Sequence, residues 1–309
     1  RGTIRKRPPL PRNLYINPRE NNKSMPYERV PTVSSVELNT LFRFPGLIGR
    51  ISGYSTWFRN TSEIGFYYTD SGLGSDFVQE ALSNINTWHR GLEFGVEYSA
   101  SSTVTLSLAG TIGSYQYANN PVTTLYFDVT EEDQNPIHPS GKVDLGPAIL
   151  NGMYTARGPQ QAVSFGVTYR DPDYWFVSTT MNELSRNFID LFALPRTASF
   201  YLNPETKEPN MEIDRDFLEE RLRQKPLPRV YLFNLVGGKS WLLNGRYLGI
   251  FASVNNLFDT VFRTGGFEQS RNGHYAQFIK DERSVSPSFA PKYWYGYGRT
   301  YFLNLSLSF

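Results

Sequence analysis

Arg299–Phe309 reads RTYFLNLSLSF. Tyr301, Leu303, Leu305, Leu307 and Phe309 alternate with Phe302, Asn304, Ser306 and Ser308. The period is 2, so one strand face is wholly apolar and the other is mostly small and polar. In a sandwich the apolar face would meet a core. In an outer-membrane barrel it meets lipid, and the polar face meets a wet lumen. Which solvent this strand faces decides the reading of the whole chain.

Working back from that strand, eight more segments carry alternating patterns. They are Val33–Phe44, Gly49–Arg59, Trp88–Ala100, Thr103–Tyr117, Gln161–Arg170, Tyr174–Leu184, Val230–Trp241 and Arg246–Asp259. Trp88–Ala100 is a clear case, with Leu92, Phe94, Val96 and Tyr98 opposite Gly91, Glu93, Gly95, Glu97 and Ser99. Gly49–Arg59 is the poorest, since Tyr54, Trp57 and Phe58 put aromatics on both faces.

The connections alternate in length. Phe44-Pro45-Gly46, Ala100–Ser102, Arg170–Asp173 and Asn244-Gly245 are short, the last a strong two-residue hairpin signal. Thr61–Thr87, Ala118–Gln160, Ser185–Arg229 and Thr260–Gly298 are long. Tight turns at one end and extended loops at the other are the pattern of an up-and-down membrane barrel; a soluble sandwich has no reason to keep that order. The expected fold is therefore all-β: an antiparallel transmembrane β-barrel, incomplete in this chain. Residues 33–309 would form wall and loops, and residues 1–32 an extracellular segment. The final strand follows a long loop and so runs toward the periplasm. Counting back, the first strand runs the same way. Nine strands with an outside start would form an open sheet with unpaired edges, which lipid does not tolerate, so the remaining wall is expected from elsewhere.

Composition agrees. Among 309 residues, aromatics reach 15%, with 20 Tyr and 22 Phe, which suits interfacial girdles. A net charge of +2 leaves no nucleic-acid footprint, and the absence of Cys excludes disulfide, thiolate-metal and Cys-nucleophile chemistry. No run approaches the roughly 20 apolar residues of a spanning helix. The mean hydropathy of −0.42 argues little, because lumen-facing residues dilute every barrel strand.

Val254-Asn255-Asn256-Leu257-Phe258-Asp259 resembles the VNNLFD signature near the end of TonB-dependent outer-membrane receptors. Tyr174–Val177, Thr264–Gln269 and Pro291–Phe302 look like Bacteroidota members of that family, and the likeness is most specific over Gly245–Phe309. Arg1–Pro31 and the long loops match by position alone. The resemblance implies a barrel of about 22 strands around a plug, with these nine as its last. It implies active nutrient import (a glycan, peptide, siderophore or cobalamin) in the outer membrane of a Gram-negative bacterium. The implied partners are the protein's own plug and remaining strands, the TonB complex, the barrel-assembly machinery, lipopolysaccharide or other lipid, and a surface lipoprotein lid. The machinery would read Tyr301, Leu303, Leu305, Leu307 and Phe309. The alternatives are a non-transporting barrel subunit of a larger assembly and a passive porin.

Among individual residues, Glu37, Arg43, Glu93 and Glu97 fall on the polar faces of their strands, as a lumen or plug-facing wall requires; plain lumen hydration is the simpler reading. Asp214–Arg223 (DRDFLEERLR) has the charge pattern of a short loop helix, which makes Phe217 and Leu218 candidate loop contacts. Tyr293 and Trp294 could contact ligand or form part of the interfacial girdle, and the girdle reading is favoured. His89, His138 and His274 lack metal-ligand spacing, and Glu131-Glu132-Asp133 lacks the turn glycine of a calcium loop. No nucleophile–base pair or phosphate loop is present. Neither catalysis, a cofactor nor a metal is expected.

Overall fold

The computed structural model describes residues 1–8, 13–17, 22–25, 30–69, 76–127, 141–203, 206–210, 213–269 and 272–308. The side chains of residues 69 and 76 are not described. His138, Glu131–Asp133 and Phe309, all singled out above, lie outside the described residues.

Among the described residues, fourteen strands form. Ten follow one another along a single antiparallel path. In path order these are β1 (Gly2–Lys6), β2 (Thr32–Phe44), β3 (Leu47–Thr69), β4 (Asp76–Ser99), β5 (Val104–Tyr117), β8 (Gln161–Arg170), β9 (Trp175–Ser185), β10 (Val230–Leu243), β11 (Arg246–Asn255) and β14 (Thr300–Ser308). β6 (Val122–Tyr126) and β7 (Lys142–Pro147) branch from β4, while β12 (Arg263–Gln269) and β13 (Ala290–Tyr295) make a separate two-stranded sheet. All nine segments read from the alternation are strands of the path. The tenth, β1, falls within the segment expected to be extracellular and pairs Gly2–Lys6 with Val36–Thr32.

The register carries one face through the wall. Leu305 lies opposite Ile250, Ile250 opposite Lys239, and Lys239 opposite Trp175. On the other half, Phe165 lies opposite Leu108, Leu108 opposite Val96, and Val96 opposite Gly49. A one-residue slip anywhere would send this mostly apolar set into the lumen, so the pattern itself fixes the pairing. The tight turns close at the opposite end from the long loops. Asn244 and Gly245 have φ of 50° and 78°, as a two-residue primed turn requires, and Gly46 turns at 74°.

The apolar face is bare: Leu303 is 64% exposed and Leu305 68%. The protein's core lies elsewhere. Among the described residues, the buried apolar side chains occupy the long connections and the strand ends that feed them. They include Phe127, Leu125, Leu150, Leu194, Phe200 and Phe278. A sheet that leaves its apolar face uncovered while its loops build the core is a sheet whose solvent on that face is lipid. No helix of the described residues is long and apolar enough to cross a membrane; crossing is by strands.

The connections expected as loops are largely structured. β3 and β4 run 23 and 24 residues, whereas crossing needs about 9–11, so their paired ends project far beyond the wall. Thr61–Thr87 is therefore mostly a β-hairpin continued through bulges. Asn60 and Asn84 take φ of 56° and 55° there, and the Asn60 N–H donates to Asn86 Oδ1 at 2.9 Å. Alternation is lost in these ends because both faces are covered. Ala81 packs under Ile16 and Met25 on one side, and Val78 packs against Phe192 and Leu194 on the other. Together these ends and the long connections form a cap over one end of the wall.

Candidate functional site

Two groupings of polar side chains could serve function, one on the wall and one in the cap. On the polar wall face a hydrogen-bonded chain crosses three strands. Asn39 Nδ2 donates to Glu37 Oε1 (2.9 Å), Ser52 Oγ donates to Asn39 Oδ1 (2.5 Å), and Arg50 Nε donates to Ser52 Oγ (2.9 Å). Arg50 then faces Glu93 at 3.8 Å, with both side chains about half exposed. The chain thus links two of the expected lumen residues, Glu37 and Glu93. Arg43 and Glu97 share that face but are separated by Ile48, which lies opposite both. Nearer the cap, Tyr54 and Tyr115 share a 2.7 Å hydroxyl contact, and the His89 ring sits 4.9 Å from the rings of both Phe58 and Tyr115. His89 is thus an aromatic-stacked wall residue. Among the described residues, no group of three His, Asp or Glu side chains is placed to hold a metal.

The cleft-bearing part of the cap is built from the β9–β10 and β11–β14 connections. Helix α1 (Arg215–Leu222) starts at Asp214, whose side chain accepts from the Phe217 N–H at 3.0 Å; Asp216 lies in its first turn and Arg221 in its last. Cap and charges both suit the helix dipole. Leu218 and Leu222, four residues apart, are buried with Phe200, Tyr275, Phe278 and Phe289, the last three from the second connection and its helix α2 (Tyr275–Glu282). Leu218 is consequently a core residue. Asp281 anchors the end of α2: burial would raise its carboxyl, but hydrogen bonds from Ser288, Asn272 and Phe289 outweigh that and hold it below the usual range.

Beneath α1 the two connections are joined by a buried ion pair. Arg196 Nη1 lies 2.6 Å from Glu268 Oε2 and Nη2 lies 3.1 Å from Oε1, and Arg196 also donates to the carbonyls of Phe192 and Leu222.

A cleft of about 410 Å³ opens between α1, the Gln224–Pro228 segment and the β12–β13 ribbon. Phe217 and Tyr293, both named from sequence, line it together, whereas Trp294 packs against Phe267. Three charges at its wall are committed: Arg221 and Glu282 pair with each other at 2.8 Å, and Glu268 pairs with Arg196. Arg263 Cζ lies over the Tyr293 ring, 3.8 Å from its centroid, a cation–π contact. Arg223, Lys225 and Arg263 then stand against Glu220, so the lining is cationic with aromatic walls. Arg223 does lie near Glu219, at 3.7 Å, but both are largely exposed. Sequence reading missed the cationic set because its members come from two connections about forty residues apart, with no pattern linking them.

The VNNLFD run forms the corner where β11 leaves the wall. Asn256, at φ 51°, donates its N–H to Asn234 Oδ1 (2.9 Å) and its Nδ2 to the carbonyls of Thr260 (2.9 Å) and Tyr297 (3.3 Å); its Oδ1 accepts from the Thr260 N–H (2.9 Å). Asp259 Oδ1 accepts from the Arg299 N–H at 2.7 Å. The motif ties β10, β11 and the entry to β14 together at the rim. Phe258 packs edge-on against Phe233.

No protein-family model matches the chain, and no curated protein does. Solved structures do. The copper transporter OprC matches with a TM-score of 0.52 at 14% identity, over 99% of this chain and 36% of that one. FpvA of P. aeruginosa, solved bound to heterologous pyoverdines, matches with a TM-score of 0.50 at 12% identity, over 99% of this chain and 30% of that one. The chain therefore spans about a third of the length of these structures. At such identity the likeness is one of fold: this chain has the architecture of part of a TonB-dependent receptor barrel.

Proposed function

We propose that this chain is part of an outer-membrane importer driven through TonB, supplying barrel wall and the extracellular cap. The observation that carries the reading is the division of labour within the fold. The wall exposes its apolar face to lipid, and the connections at one end bury a core of their own around a cationic, aromatic cleft. A passive pore needs no packed, ligand-sized cleft above its mouth. The fold shared with the copper transporter OprC and with pyoverdine-bound FpvA supports the same reading.

In this reading the cap captures a nutrient outside the cell, and energy coupling belongs to a plug outside this chain. The cleft's residual charge favours an anionic ligand, and Tyr293 with Phe217 offers flat surface to a ring or to the apolar face of a sugar. The polar chain from Glu37 to Glu93 faces the lumen and meets plug or passing substrate. The chain does no covalent chemistry. Assembly would use Tyr301, Leu303, Leu305 and Leu307, whose side chains stand on the lipid face.

The test is uptake by cells carrying the full-length gene, measured across a panel of metal chelates, glycans and peptides. Deletion should abolish growth on one class. Replacing the TonB-contacting segment of the full protein should do the same while barrel assembly continues. Growth unchanged after both would overturn the reading. With the nutrient identified, Phe217→Ala with Tyr293→Ala should weaken capture at the cell surface by roughly tenfold or more.

A further inference from the structure

The membrane-facing side of the wall carries an unexplained cluster at its cap end. Register places Lys6 opposite Thr32 and Thr32 opposite Arg59, in the uppermost row of the lipid face. One row below, about 7 Å along the strands, Trp57 lies opposite Trp88, their rings stacked at 5.4 Å and 11°. One row lower again, Arg90 lies opposite Ser55, its guanidinium folded back over the Trp88 ring at 3.9 Å. Trp88 Nε1 donates to Ser55 Oγ at 2.8 Å, which fixes the indole.

Lys6, Arg59 and Arg90 are all exposed, and none forms an ion pair with a described residue. Arg229, just before β10, is instead matched by Glu183 of β9 at 3.3 Å. A lipid-facing cation is costly at the bilayer midplane and costs little at the interface, so the rim tolerates these three. Tolerance does not explain three unmatched cations around one rigid aromatic stack. A single aromatic row would serve as a girdle.

We propose that this cluster is a binding site for a phosphorylated glycolipid of the outer leaflet. Phosphate groups would sit between Lys6, Arg59 and Arg90, and the Trp57–Trp88 stack would lie along the sugar or upper acyl region. Charge complementarity and continuity with the lipid-facing belt identify the occupant. The proposal rests on the outer-membrane reading of the fold and is independent of what is imported. Arg90, already ordered against Trp88, gives up little freedom on binding.

The test uses the full-length protein purified in detergent, titrated with lipopolysaccharide and followed by native mass spectrometry. The two probes are lipopolysaccharide with its lipid A phosphates and the same material dephosphorylated. The protein should prefer the phosphorylated form by roughly tenfold or more. The triple variant Lys6→Ala, Arg59→Ala, Arg90→Ala should lose that preference, while Arg59→Lys with Arg90→Lys retains most of it and shows that the barrel still folds. Equal binding of the two probes, or a triple variant that keeps the preference, overturns the site. Nutrient uptake should be unchanged in the triple variant, which separates this proposal from the import reading.

Discussion

Arg196 and Glu268 are bonded through two oxygens inside the cap, at 2.6 and 3.1 Å, although they come from connections separated by more than the length of β10 and β11. The pair is nearly inaccessible to water, with side chains 3% and 9% exposed. Removing one partner leaves the other charge buried and unpaired, at a cost of about 3–5 kcal/mol. Arg196→Ala or Glu268→Ala should therefore loosen α1 and the β12–β13 ribbon together. Limited proteolysis of the full-length protein should show cleavage within 197–229 and 264–290 for either variant. The wall should keep its resistance to unfolding in unheated gel electrophoresis. A cap as resistant as that of the unmodified protein would show that the pair is dispensable.

Asn256 makes five hydrogen bonds at the corner between β10, β11 and the entry to β14, three of them through its side chain. Its left-handed φ is one that Asn tolerates better than most residues. Asn256→Ala strains the backbone and leaves the Thr260 and Tyr297 carbonyls without their donor, a loss of about 2–3 kcal/mol. Asn256→Asp should fall between, keeping the acceptor for Thr260 and losing the donors. The check is the temperature at which the unheated-mobility form disappears. The order Asn, Asp, Ala is expected, and an unchanged alanine variant would remove the structural account of the motif.

Much of the wall was legible because each strand faces two unlike solvents, and period 2 survives wherever that holds. Leu92 to Tyr98 and Tyr301 to Leu307 are such runs. Legibility failed where both faces are covered. Between Val78 and Ala81 four successive residues are buried, so nothing alternates and the strand reads as loop. β1 was missed because five exposed residues, GTIRK, are too short and too polar to carry a periodic signal. In the cap, the α1 sequence announced its helix through the charges placed around Phe217, Leu218 and Leu222. The cleft was invisible, since Arg263 and Lys225 meet only after two connections have packed. Phe217 and Tyr293 stood out as aromatics but could not be paired before that packing was known.

The chain from Glu37 to Glu93 is held by hydrogen bonds, and its terminal ion pair is weak. Arg50 and Glu93 are 3.8 Å apart and about half exposed, so the pair contributes about 0–1 kcal/mol. Arg50→Ala should leave thermal stability of the barrel within that range. A lumen role predicts a different pattern for transport: the same variant should slow uptake while surface binding of the nutrient is unchanged. If uptake and binding both match the unmodified protein, the polar wall is hydration alone.

Glu80 lies in the part of β4 that projects beyond the wall, 6% exposed beside Tyr67, and its Oε1 meets no partner among the described residues. Burial pushes its carboxyl up to about 8, and burial likewise carries Asp190 to about 6, with nearby Glu63 adding to the rise. Both folded-state values exceed the ordinary carboxylate values. The folded cap thus keeps protons that the unfolded chain has released. Unfolding is favoured progressively as pH climbs from about 4.5, and the loss for Glu80 is complete only above about 8. The cap should be firmest in acid and should lose on the order of a few kcal/mol across that window. Hydrogen exchange of β6 and of residues 188–197, followed from pH 5 to 9 and corrected for the intrinsic rate, reads the change directly. Glu80→Gln keeps the volume and cannot ionise, so it should flatten most of the slope. A slope that persists in the glutamine variant would assign the pH response to Asp190 instead, and a cap with no slope in the unmodified protein would show that water reaches Glu80 in solution.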